Sequence, residues 1–353
     1  MRTIFMAASA LVLTGATPAQ AQNRPIEWSI ERGSKMPAGD RVQLTIETRW
    51  DARSRSMWSN SYDVREIPGL SWSQVNGPRQ PVQFALVRDA GRLDCGGVAG
   101  NGSGQGTCSF TPDAAFASFL AARGLGRPNA QQAFTLTMSR VSRDLVDSLA
   151  AIAHVRPTVE QLVAMGIHGV TADYVRGFAR AGYPLKSADD LVSLRIHGAD
   201  LEWIHGMGAI APQLRHLSAA DLVSMRIHGV TPAWVAEMAA MGPEFRSLSG
   251  NDLVSMRIHG AKPEMVRAYA RLVGGRLRAD DVVAMAIHGV TARYIEEMAT
   301  LGYRDFTADQ LVQMRIHGVT PDYVRSLQRS GMTRLSADEL VRLRLAGFRP
   351  DRR

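Results

Sequence analysis

The stretch Asp221–Val230, DLVSMRIHGV, decides how the second part of this chain is interpreted. It has the pattern of a short amphipathic helix that stops at a Gly, the residue that most easily adopts the left-handed conformation ending many helices. Close copies recur with their glycines 29 or 31 residues apart. These glycines are Gly169, Gly198, Gly229, Gly260, Gly289 and Gly318, and Gly347 follows at the same interval. A repeat of this length predicts a stacked array of helices.

Each repeat is predicted to contain two helices. The first opens on Ser or Thr, with an acid or amide three residues later, as in a capping box; Arg278 is the exception at the cap position. The second opens on Thr-Pro or Thr-Ala in most repeats. Counted from the first cap, apolar residues stand at +4, +5, +7 and +9, which form two stripes. Two stripes predict a first helix buried on two sides between its neighbours.

The ends of the array are predicted to be half-repeats. Residues 142–154 match only the second helix of the pattern, and residues 336–346 match only the first. The last helix is rich in Arg and lacks the His that precedes the other glycines. Polar terminal elements of this kind keep stacked arrays soluble.

One His precedes the terminating Gly in six repeats. Packed helices lie about 8–10 Å apart, so equivalent imidazoles form a ladder rather than a cluster around one metal ion. We therefore interpret the six His as structural, bonding the last helical carbonyls or a neighbouring cap. A metal- or pH-responsive role is the alternative. The residues are His168, His197, His228, His259, His288 and His317.

An Arg recurs two positions before this His and is predicted to form an ion pair between repeats. It lies between the two apolar stripes, where its stem can cross the core and its charge can reach an acid such as Asp190 or Asp252. Its copies are Arg195, Arg226, Arg257 and Arg315, whereas Gly166 and Ala286 replace it elsewhere.

The N-terminal part has the period of half-buried strands. Val42, Leu44 and Ile46 alternate with polar residues, and similar alternation occurs further on. The pattern predicts strands at 26–31, 41–49, 56–64, 82–88, 92–99, 105–111 and 133–140. A helix capped by Thr111, with Pro112 in its first turn, interrupts them. The Trp residues of this part are interpreted as core, with a ligand-binding aromatic cluster as the alternative.

The only two cysteines, Cys95 and Cys108, flank a predicted hairpin. Asn101-Gly102 lies midway between them and is a strong two-residue turn signal. Counting outward from the turn places the cysteines opposite each other at a non-hydrogen-bonded pair, within disulfide reach. We predict a structural disulfide rather than a redox switch.

The first residues and the charge restrict location and partners. Residues 1–21 have one Arg, an apolar run and Ala19-x-Ala21, which predicts a signal peptide cleaved after Ala21 and an exported, periplasmic or secreted protein. Export permits the disulfide. The net charge is +8, but residues 142–328 are close to neutral and the surplus lies mainly near the C-terminus. The repeats therefore lack the basic stripe of a nucleic-acid binder, and no later run predicts a membrane span.

The repeats SADDLVSLRIHGADLEWI and TADQLVQMRIHGVTPDYVRSL resemble a helical repeat of exported bacterial proteins. The same repeat lies C-terminal to the catalytic and membrane parts of beta-lactam sensor-transducer metallopeptidases. The segments VQFALVRDAGRLDCGG and GTCSFTPDAAFASFLAARGLGRP resemble the β-domain that precedes these repeats in stand-alone members. This chain lacks His-Glu-x-x-His and membrane helices, so the resemblance implies neither peptidase activity nor transmembrane signalling.

The sequence as a whole predicts an α+β multidomain protein. A small antiparallel β-sandwich or barrel with one helix, residues 22–141, precedes an all-α helical-hairpin solenoid, residues 142–353. With no catalytic, cofactor or metal motif, we expect a non-catalytic binding or scaffold protein whose partner is another envelope protein. The alternative is a sensory module that binds a ligand through the β-domain. The candidate partner surface consists of Arg176, Glu237, Arg267, Glu296 and Arg325 on the second helices.

Overall fold

The computed structural model describes residues 25–32, 40–50, 55–151, 155–183, 185–273 and 277–350. Contacts divide the chain into two compact units, Met1–Ala114 and Ala115–Arg353. The first is a β-sheet unit and the second a helical array, which confirms the predicted α+β class. The predicted signal peptide lies outside the described residues.

The sheet unit contains one six-stranded antiparallel sheet. The strands are β1 (Ile26–Arg32), β2 (Arg41–Arg49), β3 (Arg55–Asp63), β4 (Gln80–Arg88), β5 (Gly91–Gly100) and β6 (Ser103–Pro112). Their order across the sheet is β3-β2-β1-β6-β5-β4. Between β3 and β4, the described chain forms a short helix, α1 (Trp72–Asn76).

The core of the sheet follows the predicted alternation. In β2, Val42, Leu44 and Ile46 are buried, and the residues between them are half-buried. Trp28 of β1 is also buried; its indole packs edge-on against Phe84 with ring centroids 4.9 Å apart. Its Nε1–H donates to the Gly96 carbonyl at 3.1 Å. Trp28 is therefore a core residue that joins β1 to the far part of the sheet.

The disulfide hairpin is confirmed. Cys95 and Cys108 pair directly across β5 and β6 and are bonded, with Cα atoms 4.0 Å apart. The turn has Asn101 and Gly102 at φ +54° and +83°, the left-handed values that favour these residue types. Gly100 pairs with Ser103 beside the turn, as the outward count from Asn-Gly predicts.

Two predictions near the end of the sheet unit are wrong. Residues 133–140 are not a strand, since Ala130–Met138 forms a helix, α3. Thr111 and Pro112 do not begin a helix either, because they are the last residues of β6, and α2 is Ala114–Ala122. Both helices belong with the helical array apart from Ala114, so the division falls earlier than the predicted boundary after residue 141.

The array stacks its helices in two layers. The first helix of each hairpin packs on the first helix of the next, and the second helices alternate with the first helices along the chain. A short helix, α11 (Pro243–Arg246), and a 3-10 turn (Pro212–His216) occupy the two longer linkers.

The helices of the array are nine residues long in most cases. The first helices are α3 (Ala130–Met138), α5 (Val159–Ile167), α7 (Ala188–Ile196), α9 (Ala219–Ile227), α12 (Gly250–Ile258), α14 (Ala279–Ile287), α16 (Ala308–Ile316) and α18 (Ala337–Leu345). The second helices are α4 (Arg143–Ala151), α6 (Ala172–Arg180), α8 (Leu201–Ile210), α10 (Pro232–Ala239), α13 (Pro263–Leu272), α15 (Ala292–Thr300) and α17 (Pro321–Arg329).

The array begins with a complete hairpin rather than a half-repeat. Asn129 caps α3, and Gln132 completes a capping box with it. Arg140, at φ +60°, takes the place that Gly has in the other turns. Helix α4 then follows, and α3 packs on α5 as each first helix packs on the next. The prediction that residues 142–154 stand alone is therefore wrong, although the lone last helix α18 is as predicted.

The predicted caps are present in the structure. Thr158, Ser187, Ser249, Thr307 and Ser336 each form a capping box with the residue three positions later. Arg278 has no side-chain cap bond, but its backbone N–H still donates to the Asp281 carboxylate at 2.8 Å. The exception at this cap therefore retains one of the two bonds that a capping box supplies.

Candidate binding surface on the helical array

The Gly turn fixes the ends of the seven first helices after α3 in the same geometry. At the end of α9, the Gly229 N–H donates to the Arg226 carbonyl at 3.1 Å, and the Val230 N–H donates to the Met225 carbonyl at 2.9 Å. Gly229 has φ +69°, and Val230 and Met225 are both buried. This is a Schellman motif with its apolar contact. The same two bonds close the six other Gly turns, so the residues before each Gly have the same local geometry.

The aliphatic residue at the end of each of these helices is exposed. These residues keep 48–65% of their surface accessible. They are Ile167, Ile196, Ile227, Ile258, Ile287, Ile316 and Leu345. Position +9 was predicted to be buried with position +5, and that prediction is wrong.

The reason for this exposure lies in the last turn of the helix. Met256, at +7, is fully buried, and two further residues rotate the side-chain direction by about 200°. Val254, at +5, lies on the same side as Ile258 and is half-buried. Ile258 belongs to the final turn, where packing against the neighbouring helices has ended. An apolar stripe can therefore start inside the array and end in solvent.

The six His lie beside this row. Each is the C-cap of its helix; the His228 backbone N–H, for example, donates to the Ser224 carbonyl at 3.1 Å. Five of the rings are exposed and His317 is half-buried. None of the six imidazoles forms a hydrogen bond within the described ranges, so the predicted bond to a carbonyl or neighbouring cap is not found. These ranges also contain no group of three His, Cys, Asp or Glu residues close enough to hold a metal ion.

We call the seven aliphatic residues and the six His the Ile–His edge. Successive members come from successive stacked helices, so the edge runs along the array. Its apolar part is one side chain wide in each repeat, with an imidazole beside all but the last. The other large hydrophobic side chains that are exposed within the described residues are Met57, Val87, Val98 and Phe348. Repetition distinguishes the edge from these isolated residues, which are normal on a protein surface.

Five first helices have an Arg three positions before the terminating Gly, and each of these Arg contacts an aromatic ring of the preceding hairpin. The guanidinium of Arg315 in α16 lies 4.9 Å from the centroid of Tyr294 in α15. The other pairs are Arg195 on Tyr174, Arg226 on Trp203, Arg257 on Trp234 and Arg344 on Tyr323, at 4.9–5.6 Å. The predicted ion pair with Asp190 or Asp252 is therefore replaced by a cation–π contact.

The tyrosines of these pairs are neutral phenols at neutral pH, as an ordinary Tyr is. Burial raises the pKa of Tyr174 and of Tyr294 further, to about 12, although the adjacent Arg195 or Arg315 opposes the shift. The guanidinium therefore faces a neutral ring at neutral pH, and the attraction is to the electron density of the ring. The Tyr294 hydroxyl also donates to the Val319 carbonyl at 3.0 Å, which ties α15 to the next Gly turn.

The Arg and the aromatic residue are present or absent together. Two junctions between successive hairpins lack the pair. In one, Leu145 and Gly166 stand in place of the aromatic residue and the Arg. In the other, Met265 and Ala286 do so. This correspondence within one chain indicates that each pair is a unit of packing between neighbouring repeats.

The five residues predicted as a partner surface lie on the second helices and form ion pairs with neighbouring chain segments. Arg176 of α6 pairs with Asp144 of α4 at 2.7 Å. Arg267 of α13 pairs with Glu237 of α10 at 3.1 Å, and Glu296 of α15 pairs with Arg271 of α13 at 2.8 Å. Arg325 of α17 pairs with Asp322 and approaches Glu297. These charges already have partners within the array, whereas the Ile–His edge has apolar surface that nothing in the described structure covers.

The edge was missed because an apolar residue in a helical pattern is ordinarily assigned to the core. The constancy of Ile-His in six repeats is not a sufficient signal, because position +5, which is buried or half-buried, is also constant as Val.

Among the described helices, none has the length and apolar character that a membrane span requires. Neither protein-family models nor curated proteins provide a match to this chain.

Proposed function

We propose that the protein is a non-catalytic binding protein whose Ile–His edge docks an elongated segment of a partner protein. The observation that carries the proposal is the row of seven exposed aliphatic side chains at equivalent helix ends. Exposed apolar surface that is contiguous and bordered by polar groups is typical of protein interaction sites.

The row contains enough apolar surface for specific binding. Fully burying an aliphatic side chain of this size contributes about 1.5–3 kcal/mol. Roughly half of each side chain is still accessible, so each contributes about 1 kcal/mol when covered. One contact of this size does not offset the free-energy cost of ordering a bound segment, whereas several contacts made together do. The binding partner must therefore run along the edge rather than occupy a single repeat.

The spacing of the row favours an extended partner. Neighbouring helices pack about 8–10 Å apart, so six steps span roughly 50–60 Å. A polyproline II segment rises about 9.3 Å per turn of three residues, which matches one repeat. We propose a partner segment with an apolar residue at every third position along one face. The imidazoles beside the row would contact its polar residues or backbone.

The disulfide and the resemblance of the repeats support an envelope location for this binding. A disulfide in a small sheet unit is typical of an oxidising compartment. The resemblance to repeats of exported bacterial proteins and of sensor-transducer metallopeptidases agrees with an exported scaffold. We therefore propose that the partner is an exported or membrane-bound protein of the bacterial envelope.

The proposal is tested by capture from envelope extract with two matched variants. Ile196→Asp/Ile227→Asp/Ile258→Asp places charges on the edge, and Glu237→Ala/Arg267→Ala removes an ion pair on the second helices. Because both sets alter exposed side chains, both variants are expected to fold. We expect a partner that is retained by the wild type and by the ion-pair variant but lost by the edge variant.

Two results would contradict this. Equal capture by the edge variant would show that another surface binds the partner. Concentration-dependent dimers in sedimentation velocity that the edge variant abolishes would show that the edge joins two copies of this chain instead.

A further inference from the structure

The junction between α13 and α14 contains an open cleft on the array. It has a volume of about 690 Å³. Its apolar wall consists of Trp234, Ala261, Met265, Ala286 and Val290, beside the Gly260 turn. This is the junction in which Met265 and Ala286 replace the aromatic residue and the Arg.

The other junctions show what occupies the equivalent place. The guanidinium of Arg257 lies over Trp234 and against the Gly229 turn, where an atom at a Cβ position would be 3.1 Å from Nη2. Arg195, Arg226, Arg315 and Arg344 approach the preceding Gly turns in the same way. At Gly260 nothing lies within 4 Å of that position, and Gly260 is exposed whereas the five other turn glycines between α5 and α17 are half-buried.

The second junction without the pair is closed. At Gly166, a Cβ atom would lie 2.2 Å from the Ser139 Oγ and 2.7 Å from Val141, so the turn of the preceding hairpin fills the space. Among the described junctions, the one at Ala286 therefore combines the absence of Arg with an open space. The cleft is a vacant guanidinium position, defined by five occupied copies in the same chain.

We infer that this cleft takes the guanidinium of an Arg side chain of the docked partner segment. The inference rests on the proposed function. Ile258 and Ile287 of the Ile–His edge directly follow Arg257 and Ala286, two residues that line the cleft. The partner Arg enters where the missing internal Arg would lie, with its stem on Met265 and Ala286. The guanidinium then reaches the C-terminal end of α12, where helix carbonyls favour a cation.

The wall of the cleft has charges of both signs, with carboxylates at Glu237 and Glu264 and basic groups at Arg257, Lys262 and Arg293. Arg257 is engaged with Trp234, and Arg293 pairs with Glu297 at 2.7 Å. Glu264 lies on the wall and supplies a carboxylate. Lys262, also on the wall, is the opposing charge and stands where most other hairpins have Thr. Lys262→Thr is therefore expected to strengthen binding of a cation.

The test uses small mimics of side chains with the full-length wild-type protein. Propylguanidinium, butylammonium, propionate and propanol are titrated while the ¹³C-labelled Met methyl signals are followed by NMR. The Met265 signal is identified by its loss in Met265→Leu. We expect a saturable shift of this signal with propylguanidinium, and binding about tenfold weaker with butylammonium, because a planar guanidinium covers the thioether and reaches the carbonyls together.

Two double variants provide matched controls. Met265→Tyr/Ala286→Arg fills the cleft with the pair found at the neighbouring junctions, and binding of propylguanidinium should be lost. Tyr294→Met/Arg315→Ala empties the next junction, and the introduced methyl should respond to propylguanidinium as that of Met265 does. Thermal unfolding of each variant verifies that the array is intact.

The outcomes separate this inference from the proposed function. The mimics require no partner, so Ile196→Asp/Ile227→Asp, an edge variant that leaves Ile258 beside the cleft unchanged, should bind propylguanidinium like the wild type. Absence of a propylguanidinium shift at Met265, or equal or tighter binding of propanol or propionate, overturns the guanidinium assignment. Equal partner capture by the wild type and the edge variant, with propylguanidinium binding retained, would instead contradict only the proposed function of the edge.

Discussion

The sheet unit and the helical array are stabilised over different distances along the chain. In the sheet unit, the Trp28 indole donates to Gly96, 68 residues away. In the array, the Trp203 indole donates to Val230, 27 residues away, and Tyr294 to Val319, 25 residues away. The sheet thus combines pairs of consecutive strands with one long-range pairing, that of β1 with β6, whereas the array repeats contacts between successive hairpins. At the end of each Gly-terminated first helix, however, one aliphatic side chain such as Ile227 stays exposed, and this row is available for binding.

The largest expected difference between the two units comes from the disulfide. We expect Cys95→Ala/Cys108→Ala to lower the free energy of unfolding of the sheet unit by about 3 kcal/mol, since the bond closes a short loop in the unfolded chain. The array should be unaffected because it contains neither cysteine. Hydrogen exchange at peptide resolution, measured against urea concentration, separates the two units.

Reduction of the wild-type protein is the control for this prediction. It should reproduce the effect of the double substitution on peptides of β5 and β6. An equal urea midpoint for the oxidised and reduced sheet unit would show that the bond does not contribute to its stability. A shift in the array peptides would show instead that the two units unfold together.

Alkaline pH is expected to weaken the array through its buried tyrosines. The pKa of Tyr294 is raised by burial to about 12, whereas an unfolded Tyr titrates near pH 10. The stabilisation is therefore complete below pH 10 and is lost as pH rises towards 12, by about 1.4 kcal/mol per pH unit. Between pH 9 and 11, wild type should lose about 1 kcal/mol more than Tyr294→Phe in urea unfolding followed by far-UV circular dichroism. Parallel curves would contradict a buried neutral phenol.

Arg140 is a point where the first hairpin of the array departs from the others. It has φ +60° where the later hairpins have Gly, and an L-residue in this conformation is strained. We expect Arg140→Gly to raise the free energy of unfolding of the array by about 1 kcal/mol. Arg140→Ala, which removes the side chain but keeps a Cβ, is the control and should give no gain. Equal effects of the two variants in urea unfolding would attribute the change to the Arg side chain rather than to the backbone.

The same hairpin explains the largest error in the predicted fold. Phe134, Leu136 and Met138 alternate like a strand, yet Phe134, Thr135, Leu136 and Thr137 are all buried in α3. A helix covered on nearly every side loses the polar face that would show a 3.6-residue period. The Gly that marks the later turns is replaced by Arg140, so the repeat could not be recognised from its terminator either. The later hairpins keep caps, Gly and period together, and these were predicted correctly.

The candidate site was only partly predictable for a related reason. The sequence shows that Ile227 and His228 recur together, but burial depends on where the neighbouring helices end. The contact of Arg226 with Trp203 joins residues of different hairpins, which a pattern within one repeat does not relate. Local signals therefore predicted the hairpins. The exposure of Ile227 and the contact of Arg226 depend instead on the neighbouring hairpins.

The smallest expected effect distinguishes the two kinds of Arg contact. In a double-mutant cycle of Arg226→Met and Trp203→Leu, we expect a coupling energy of about 0.5–1 kcal/mol, the usual contribution of a partly exposed cation–π pair. The Met stem preserves most of the packing of the Arg, so the coupling reports the charge on the ring. A cycle of Arg226→Met with Asp252→Asn should give no coupling beyond error. The reverse result in urea unfolding would show that an ion pair, and not the cation–π contact, joins the hairpins. The open junction at Ala286 would then not be a vacant position for a guanidinium.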